Sequence, residues 1–370
     1  MTEEIQDRLQ AFNEEVLNYY FRPLWVAAPG VAPKQPKPRA VPYLWKWEMI
    51  RAKIMEAGEL VKPGTSGGAE RRVLLLENPG LREEGWGRAT QTLTAAVQLI
   101  MPGEVAPTHR HSLGAIRFIM QGSGAFTVVD GERMSMAEGD YLLTPPWSWH
   151  DHGHEGDGPM IWMDGFDAAL LNYLSATFFE EYEGGGTQPV IYPDGYADAR
   201  YGHGMLRPVG EDRRRNPSPL TAYRWEHTEK ALQNLTQLQP DPFNAYAIEF
   251  INPSTGGTAD ASIGGWMQLL LPKQTTKAHR HLTSSVYQVH RGTGYTVING
   301  ERFDWSQGDF FVIPPWSWHE HVNTSETEPA YLFSINDIPH FERMGIERVE
   351  EYKENDGHQE VTRVFQPLLP

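Results

Sequence analysis

Apolar residues near the start of the chain recur every three or four positions among acidic ones, which predicts an amphipathic helix within residues 3–21. The apolar residues with this spacing are Ile5, Leu9, Phe12, Val16 and Tyr20. A second helix is predicted from Trp45 to Leu60. The Pro-rich stretch from Pro29 to Pro42 is predicted to be largely extended, because each proline disfavours helix at itself and at the residue before it.

From about residue 89 the pattern changes to short β-type runs separated by Gly, Asp and Pro. The first such runs are Ala115–Met120, Gly124–Val129 and Asp140–Thr144. Asp130-Gly131 is a dipeptide typical of a β-hairpin turn. Two more helices are predicted after these strands, from Ala168 to Tyr182 and from Trp225 to Leu238.

This β-type pattern occurs twice, about 170 residues apart. Pro145-Pro146-Trp147-Ser148-Trp149-His150 recurs unchanged as Pro314-Pro315-Trp316-Ser317-Trp318-His319, and Gly139-Asp140 recurs as Gly308-Asp309. A hexapeptide repeated at a nearly constant offset indicates a duplicated domain. Short antiparallel strands at regular spacing are typical of a sandwich or jelly-roll barrel.

We therefore expect a mainly β protein with two jelly-roll β-barrels in one chain, an N-terminal helical arm and a linker that contains helices. The expected segments are 1–88 for the arm, 89–170 for the first barrel, 171–245 for the linker, 246–340 for the second barrel and 341–370 for a C-terminal tail.

Composition narrows the possible partners. The 370 residues carry a formal charge of −16 at pH 7, which repels nucleic acid and anionic membranes. The same charge would repel an anionic small substrate, so such a substrate needs a locally basic pocket. The chain has no cysteine, which excludes disulfides, thiolate metal sites and cysteine nucleophiles. The N-terminus has no signal-peptide pattern, and we expect a cytoplasmic protein.

Eight of the 14 histidines form four His-x-His pairs: His109/His111, His150/His152, His279/His281 and His319/His321. Residues two apart on a strand point to the same face, so each pair can direct both imidazoles into one cavity. This concentration in two copies of one motif favours metal binding. No carboxylate closely follows either first pair, and the predicted ligands are therefore His109, His111 and His150, a set that suits zinc as well as iron.

Several segments together resemble bicupin aromatic-acid dioxygenases. They are Pro102–His111, Arg117-Phe118, the Pro-Pro-Trp-Ser-Trp-His-Asp-His run, Glu70-Arg71-Arg72, Asn78–Leu81, Trp162–Asp167 and Thr221–Glu226. The family they resemble most is gentisate 1,2-dioxygenase, with salicylate and 1-hydroxy-2-naphthoate dioxygenases as relatives. The resemblance extends over most of residues 40–170, part of the linker and the second barrel.

The resemblance implies one Fe(II) per chain, held by the three predicted ligands of the first barrel. It implies that the substrate binds iron through its carboxylate and adjacent hydroxyl. O₂ is then inserted between the carboxyl-bearing and hydroxyl-bearing ring carbons. Gentisate would give maleylpyruvate in this reaction, while salicylate or 1-hydroxy-2-naphthoate is the alternative substrate. The resemblance also implies a homo-oligomer, specifically a homotetramer.

Four further residues receive roles from the resemblance. Arg71 and Arg117 would hold the substrate carboxylate, since a guanidinium matches a carboxylate bidentately. His152 would hydrogen-bond a phenolic oxygen or act as acid or base. Asp164 would orient a group at the site or pair with Arg117. Arg72 is expected to point away, because neighbours on a strand alternate.

Two features depart from the family pattern. Some relatives have an aromatic residue near Leu93-Thr94-Ala95-Ala96, and this chain has none there, which leaves the ring substituents of the substrate open. Many members have lost the ligands of the second barrel, yet His279, His281 and His319 are present here. We expect a second metal site at these residues, either structural or catalytic.

Two functions from other classes compete with the dioxygenase. One is a metal-dependent isomerase or decarboxylase that needs no O₂. The other is a ligand-binding protein without catalysis. The fold alone does not separate them, because jelly-roll proteins of this kind carry many functions.

Overall fold

The computed structural model describes residues 2–62, 71–203, 206, 208–210 and 217–368. The chain divides into two units, Met1–Pro38 and Arg39–Pro370. The N-terminal unit contains helices α1 (Glu3–Glu15) and α2 (Leu24–Val31), with a 3₁₀ helix at Val16–Tyr19 between them. None of these helices has a buried residue.

The predicted first helix is confirmed in two pieces, and it ends where Tyr20 adopts a left-handed backbone conformation. The extended conformation predicted from Pro29 to Pro42 is wrong at its start, because Pro29 lies in the last turn of α2. The missing N–H of Pro29 removes one hydrogen bond from this last turn, and the helix ends two residues later.

The main unit begins with β1 (Tyr43–Trp45) and α3 (Trp47–Leu60), and the predicted second helix is thereby confirmed. The first barrel contains β2 (Val73–Leu75), a 3₁₀ helix (Pro79–Glu84), β3 (Thr94–Ile100), β4 (Val105–His111), β5 (Ala115–Gln121), β6 (Ser123–Val129), β7 (Glu132–Ala137), β8 (Tyr141–Thr144), β9 (His150–His154) and β10 (Met160–Phe166). The connection to the second barrel contains α4 (Ala168–Tyr173), β11 (Phe179–Glu181), α5 (Tyr196–Tyr201), β12 (Ala222–Tyr223) and α6 (Trp225–Leu235).

The second barrel repeats the arrangement. Its strands are β13 (Tyr246–Glu249), β14 (Gly264–Leu270), β15 (His279–His281), β16 (Ser285–Arg291), β17 (Thr293–Ile298), β18 (Glu301–Ser306), β19 (Phe310–Ile313), β20 (His319–Asn323) and β21 (Ala330–Asn336). The chain continues with α7 (Ile338–Met344), β22 (Val349–Glu351), a 3₁₀ helix (Asn355–Gly357) and β23 (Arg363–Val364).

Each barrel consists of two facing sheets. In the first barrel the strand orders are β12-β8-β5-β10-β3-β2 and β11-β4-β9-β6-β7. In the second they are β1-β19-β16-β21-β14-β13 and β22-β15-β20-β17-β18-β23. Neighbouring strands are antiparallel except β18 and β23. The expected mainly β fold with two jelly-roll barrels is confirmed.

The helix predicted from Ala168 to Tyr182 is wrong in its second half. It ends at Tyr173, and Ser175 follows in a left-handed conformation. Residues Phe179–Glu181 instead form β11, which pairs with β4 so that Phe179 lies opposite His111. The open edge of β4 offers backbone hydrogen bonds to an extended segment, and this long-range pairing overrides the local helical pattern.

The repeated Gly-Asp dipeptides attach helices to the barrels. The carboxylate of Asp140 accepts hydrogen bonds from the Trp225 amide at 2.9 Å and from Arg224 at 2.6 Å at the start of α6. Asp309 accepts from the Trp47 amide at 2.8 Å and pairs with Lys46 at the start of α3. The preceding glycines touch the indoles of these tryptophans, so a Cβ would collide with them. A carboxylate is favourable at a helix N-terminus, which explains the acidic residue.

The two barrels share one apolar core, in which one sheet of each barrel packs against the other. Phe118 of the first barrel stacks on Phe333 of the second with ring centroids 4.1 Å apart. Polar contacts flank this core: the hydroxyl of Thr92 donates to the buried carboxylate of Asp337, and Ser284 donates to it through its amide and its hydroxyl. The barrels are therefore parts of one folded body.

Candidate metal centre and surrounding pocket

The first cluster of histidines lies on two neighbouring strands of the first barrel. His109 and His111 are on β4 and His150 is on β9, with His109 directly opposite His150. Their ring centroids are 4.3 to 5.5 Å apart, and one nitrogen of each ring lies within 4.8 Å of the others. All three side chains are buried. The structure thus brings together the three residues predicted as ligands.

Backbone carbonyls set the orientation of these rings. The Nδ1 of His111 lies 3.0 Å from the carbonyl oxygen of Leu113, and the Nδ1 of His150 lies 3.0 Å from that of Ser148. A carbonyl can only accept, so each Nδ1 carries the hydrogen and each Nε2 has a free lone pair. Imidazoles fixed in this way are suited to bind a divalent metal.

Burial keeps the three rings neutral. Desolvation lowers the pKa of His109 to about 2 and that of His111 to about 4, and it holds the pKa of His150 well below its ordinary value. The positive charges of Arg71 and Arg117 add to the effect on all three rings. Neutral imidazole is the form that binds metal.

Arg71 lies beside the cluster, as predicted, and Arg72 points away from it. The Nη2 of Arg71 is 2.9 Å from the Nδ1 of His109, while the carbonyl oxygen of Pro107 lies 3.3 Å from the same nitrogen. Arginine can only donate, so its contact needs a His109 tautomer with no hydrogen on Nδ1. The contact with the Pro107 carbonyl needs the opposite tautomer, with the hydrogen on Nδ1. A metal bound through Nε2 would select the tautomer that donates to Pro107. Arg72 instead pairs with Glu104 at 2.7 Å.

Arg117 forms a buried ion pair with Asp164. It lies on β5, is 3% exposed, and its Nε is 3.4 Å from the Asp164 Oδ1, while its Nη1 donates to the hydroxyl of Thr144. The indole of Trp162 donates to the same carboxylate oxygen at 3.0 Å. Desolvation raises the pKa of Asp164 to about 6, and Arg117 opposes this rise. The Asp164 carboxylate thus lies against the Arg117 guanidinium, as one of the two predicted alternatives described.

His152 follows the cluster on β9 and is fully buried. Its Nδ1 lies 2.8 Å from the hydroxyl of Thr127, which itself donates to the sulfur of Met136. The Thr127 hydroxyl must then accept from His152, which leaves the lone pair on Nε2. That nitrogen has no hydrogen-bond partner in the described part of the chain. A buried, unpartnered acceptor beside a metal cluster is suited to receive a hydrogen bond or proton from a ligand.

The second cluster has the same geometry as the first. His279 and His281 on β15 and His319 on β20 have ring centroids 4.3 to 5.5 Å apart. The Nδ1 of His281 faces the carbonyl of Thr283 at 2.9 Å and that of His319 faces Ser317 at 3.0 Å. His321 lies 2.9 Å from Thr296, in the place of His152.

The repeated Trp-Ser-Trp segment also supports the cluster. This role of the segment was not predicted from the sequence. Arg110 lies between the two ligands of β4 and points to the other face, where its guanidinium is 4.4 Å from the ring centre of Trp149. The amide of Trp147 donates to the His111 carbonyl at 2.8 Å. In the second barrel Arg280 lies between Trp316 and Trp318. The alternation of side chains along a strand was the available signal.

Strand β11 places another residue, Phe179, at the cluster. The wrong helix prediction for this segment did not anticipate it. Phe179 stacks on His109 with ring centroids 4.9 Å apart and an interplanar angle of 27°. The same segment carries Glu180, which pairs with Arg110 at 2.6 Å. β11 therefore covers one edge of the cluster.

The comparisons with known proteins agree with this geometry. The Cupin domain family matches residues 96–166 and 266–336. The chain is 40% identical over 338 residues to gentisate 1,2 dioxygenase 1 of Aquipseudomonas alcaligenes, covering 91% of this chain and 94% of that one. It is 36% identical to 5-aminosalicylate 1,2-dioxygenase of a Comamonas species, over 98% of this chain and 96% of that one.

A solved structure of salicylate 1,2-dioxygenase from Pseudoaminobacter salicylatoxidans, in adducts with gentisate, has a TM-score of 0.84. It is 34% identical in sequence and covers 94% of each chain. Among the described residues, no helix is both long and apolar enough to cross a membrane. Two cupin domains, two three-histidine clusters and these relatives together show that the chain belongs to the gentisate and salicylate 1,2-dioxygenase family and is a ring-cleaving oxidoreductase.

Proposed function

We propose that this dioxygenase acts on gentisate with Fe(II) in the first barrel. It inserts O₂ between the carboxyl-bearing and hydroxyl-bearing ring carbons to give maleylpyruvate. The observation that carries the proposal is the combination, at one buried cluster, of three neutral imidazoles, two guanidinium groups and the unpartnered Nε2 of His152. An anionic, hydroxylated aromatic acid complements all three features.

The donor set fits the metal. His109, His111 and His150 would hold Fe(II) through Nε2, and neutral ligands leave the full 2+ charge to attract an anionic chelating substrate. When bound, Fe(II) would supply open coordination positions and the redox chemistry that lets O₂ react with an aromatic ring. Phe179 would support the His109 ring, and the Trp-Arg packing would support the ligand strand on its other face.

The guanidinium groups would bind the substrate carboxylate. Arg117 is the stronger candidate because it is buried and already held by Asp164 and Thr144. Its side chain therefore loses little conformational entropy when the substrate binds. Arg71 lies beside His109, with its Nη2 2.9 Å from the Nδ1 of that ring. Both charges offset the repulsion that a protein with a net charge of −16 exerts on an anion.

His152 would accept a hydrogen bond or a proton from the substrate. Its tautomer, set by Thr127, presents a bare Nε2, which can accept the hydrogen of a phenolic hydroxyl. Asp164 would keep Arg117 oriented and does not itself face the substrate. These roles match those implied by the resemblance.

We also propose a metal in the second cluster and a cytoplasmic homotetramer. The second cluster is supported by the fixed tautomers of His281 and His319. The oligomer is supported by exposed aromatic residues of the N-terminal unit, such as Trp25 and Phe21. Light scattering of the full-length protein measures the subunit number, and a monomer at micromolar concentration contradicts this part.

An oxygen-uptake assay tests the substrate. Fe(II)-loaded protein receives gentisate, salicylate, 5-aminosalicylate or 1-hydroxy-2-naphthoate without oxygen, and O₂ is then added. We expect one O₂ consumed per gentisate, with a new near-ultraviolet band from the ring-opened product and the highest kcat/KM in the panel. Faster turnover of another acid would reassign the substrate, while turnover without O₂ uptake would favour an isomerase or decarboxylase.

A further inference from the structure

The two clusters differ in the polar groups around them. In the first barrel Arg117 on β5 lies opposite Asp164 on β10. At the same register position of the second barrel, Tyr287 on β16 lies opposite Ser334 on β21 and hydrogen-bonds it. The ion pair is thus replaced by two neutral hydroxyls.

The space that Arg117 and its partners occupy is apolar in the second barrel. The ring of Tyr287 stacks on Phe311 with centroids 4.7 Å apart and an interplanar angle of 1°. Ile313, at the end of β19, lies opposite Ser285, just as Thr144 lies opposite Ala115 in the first barrel. The hydroxyl that anchors the guanidinium therefore has no counterpart at this position.

Among the described residues, the position that corresponds to Arg117 holds no cation in the second barrel, because Tyr287 takes it. Arg280, between the two ligands of β15, packs against Trp316 and Trp318 and pairs with Glu350 at 2.6 Å. A carboxylate entering the second pocket would lose its water without gaining a positive partner from the protein, which is costly.

The strands that carry the second cluster meet at fewer register positions than those of the first. β15 has three residues and meets β20 where His279 lies opposite His319, and just before β15 a bridge pairs Thr275 with Val322. In the first barrel β4 has seven residues and meets β9 at three positions. The other edge of β15 pairs with β22 of the C-terminal segment, so β15 connects that segment to the barrel.

We propose that the second cluster is a structural divalent-cation site, which fastens β15 and the C-terminal strand β22 to β20. It excludes the aromatic acid, and water fills the coordination positions that the three histidines leave open. This inference rests on the proposed function only for the assignment of the acid to the first cluster. The metal would join histidines of two neighbouring strands, and metal binding of this kind adds to folding stability.

Cobalt(II) as the metal probe, with one cluster disabled at a time, tests the proposal in the full-length chain. His109→Ala leaves the second cluster and His279→Ala leaves the first. Metal content, the visible Co(II) spectrum with and without anaerobic gentisate, and the thermal midpoint are measured for each. The pair His111→Gln and His281→Gln repeats the experiment with side chains closer in volume, in case an alanine variant does not fold.

We expect one Co(II) per chain in each variant. Gentisate should shift the spectrum of His279→Ala and leave that of His109→Ala unchanged. Chelating the metal from His109→Ala should lower the thermal midpoint by about 5 °C, the shift expected for a site held well above its Kd. A spectral shift by gentisate in His109→Ala, no metal in that variant, or a midpoint that chelation does not move would each overturn the proposal.

The two proposals fail separately. If gentisate shifts neither spectrum while chelation lowers the midpoint of His109→Ala, the proposed substrate is wrong and the structural site stands. If gentisate shifts both spectra, gentisate binding at the first cluster is supported and the exclusion of the acid from the second is wrong.

Discussion

The two barrels carry the same histidines on the same strands, yet among the described residues only the first places an arginine–aspartate pair beside them. The repeated features are the imidazoles, the Trp-Arg packing behind them and the Gly-Asp helix attachments. In the part of the chain that the structure describes, Arg117, Asp164, Thr144 and Arg71 belong to the first barrel alone. A metal-binding pattern therefore locates a centre, while the chemistry depends on neighbours that the pattern does not include.

The largest effect is expected from removing the charge that distinguishes the first barrel. Arg117→Met leaves Asp164 buried without its partner and removes the carboxylate contact, so kcat/KM for gentisate should fall by about 10³, the equivalent of breaking a buried ion pair. Tyr287→Met at the same position of the second barrel is the control and should change kcat/KM less than about threefold. Equal losses in the two variants would show that the barrels share the chemistry.

A smaller loss of activity is expected when His152, whose Nε2 has no partner among the described residues, is replaced. His152→Gln removes the buried acceptor and should lower kcat by about 10², within the usual range for a general acid or base, with the metal content unchanged. His321→Gln is the matched change in the second barrel, and steady-state kinetics with metal analysis compares them. A wild-type kcat in His152→Gln would remove this residue from the reaction.

Two buried carboxyl groups at the contact between the barrels should instead behave alike. Asp167 accepts from the Gly114 amide at 3.0 Å and interacts with Ser262 of the second barrel. Asp337 accepts from the Ser284 amide at 2.7 Å and from Thr92 of the first barrel. Burial raises the pKa of Asp337 to about 6, and burial together with the charge of Asp260 raises the pKa of Asp167 to about 6. The folded state holds these protons more tightly than the unfolded state, so each carboxyl stabilises the fold at low pH and loses that contribution as the pH rises through about 6.

Asp337→Asn and Asp167→Asn should therefore gain stability relative to the wild type between pH 4 and pH 7, by about 2 kcal/mol each. Urea unfolding at both pH values measures the difference. A relative stability that is independent of pH in either variant contradicts the symmetry of the contact.

The smallest effect concerns the packing behind the ligand strands. Arg110→Gln removes the cation from Trp149 and the pair with Glu180, and Arg280→Gln does the same in the second barrel. Each should weaken metal binding about fivefold at its own centre only, because the packing is worth about 1 kcal/mol. Titration of metal into single-centre proteins resolves the two sites. Weaker metal binding at both centres after one substitution would indicate a general folding defect and contradict the prediction.

Sequence periodicity predicted the elements whose stability is local. The duplicated hexapeptide and the His-x-His spacing predicted both clusters, since alternation along a strand fixes which side chains share a face. The segment Phe179–Glu181 was not predicted as a strand, because its partner β4 lies about 70 residues earlier. The pairing of Arg117 with Asp164 was foreseen as an alternative, but the tautomer of His152 depends on Met136, which no local pattern connects to it.

The position of β1 in the sheet topology affects how the protein folds during synthesis. β1 precedes the first barrel in the chain but completes a sheet of the second, where Tyr43 lies opposite Val312. During synthesis this strand must wait for some 265 further residues, on the order of tens of seconds at ribosomal rates. Its edge partner β19 would be bare in a fragment cut between the barrels, and bare strand edges promote aggregation. We therefore expect the second barrel to fold poorly when it is made without Tyr43–Trp45.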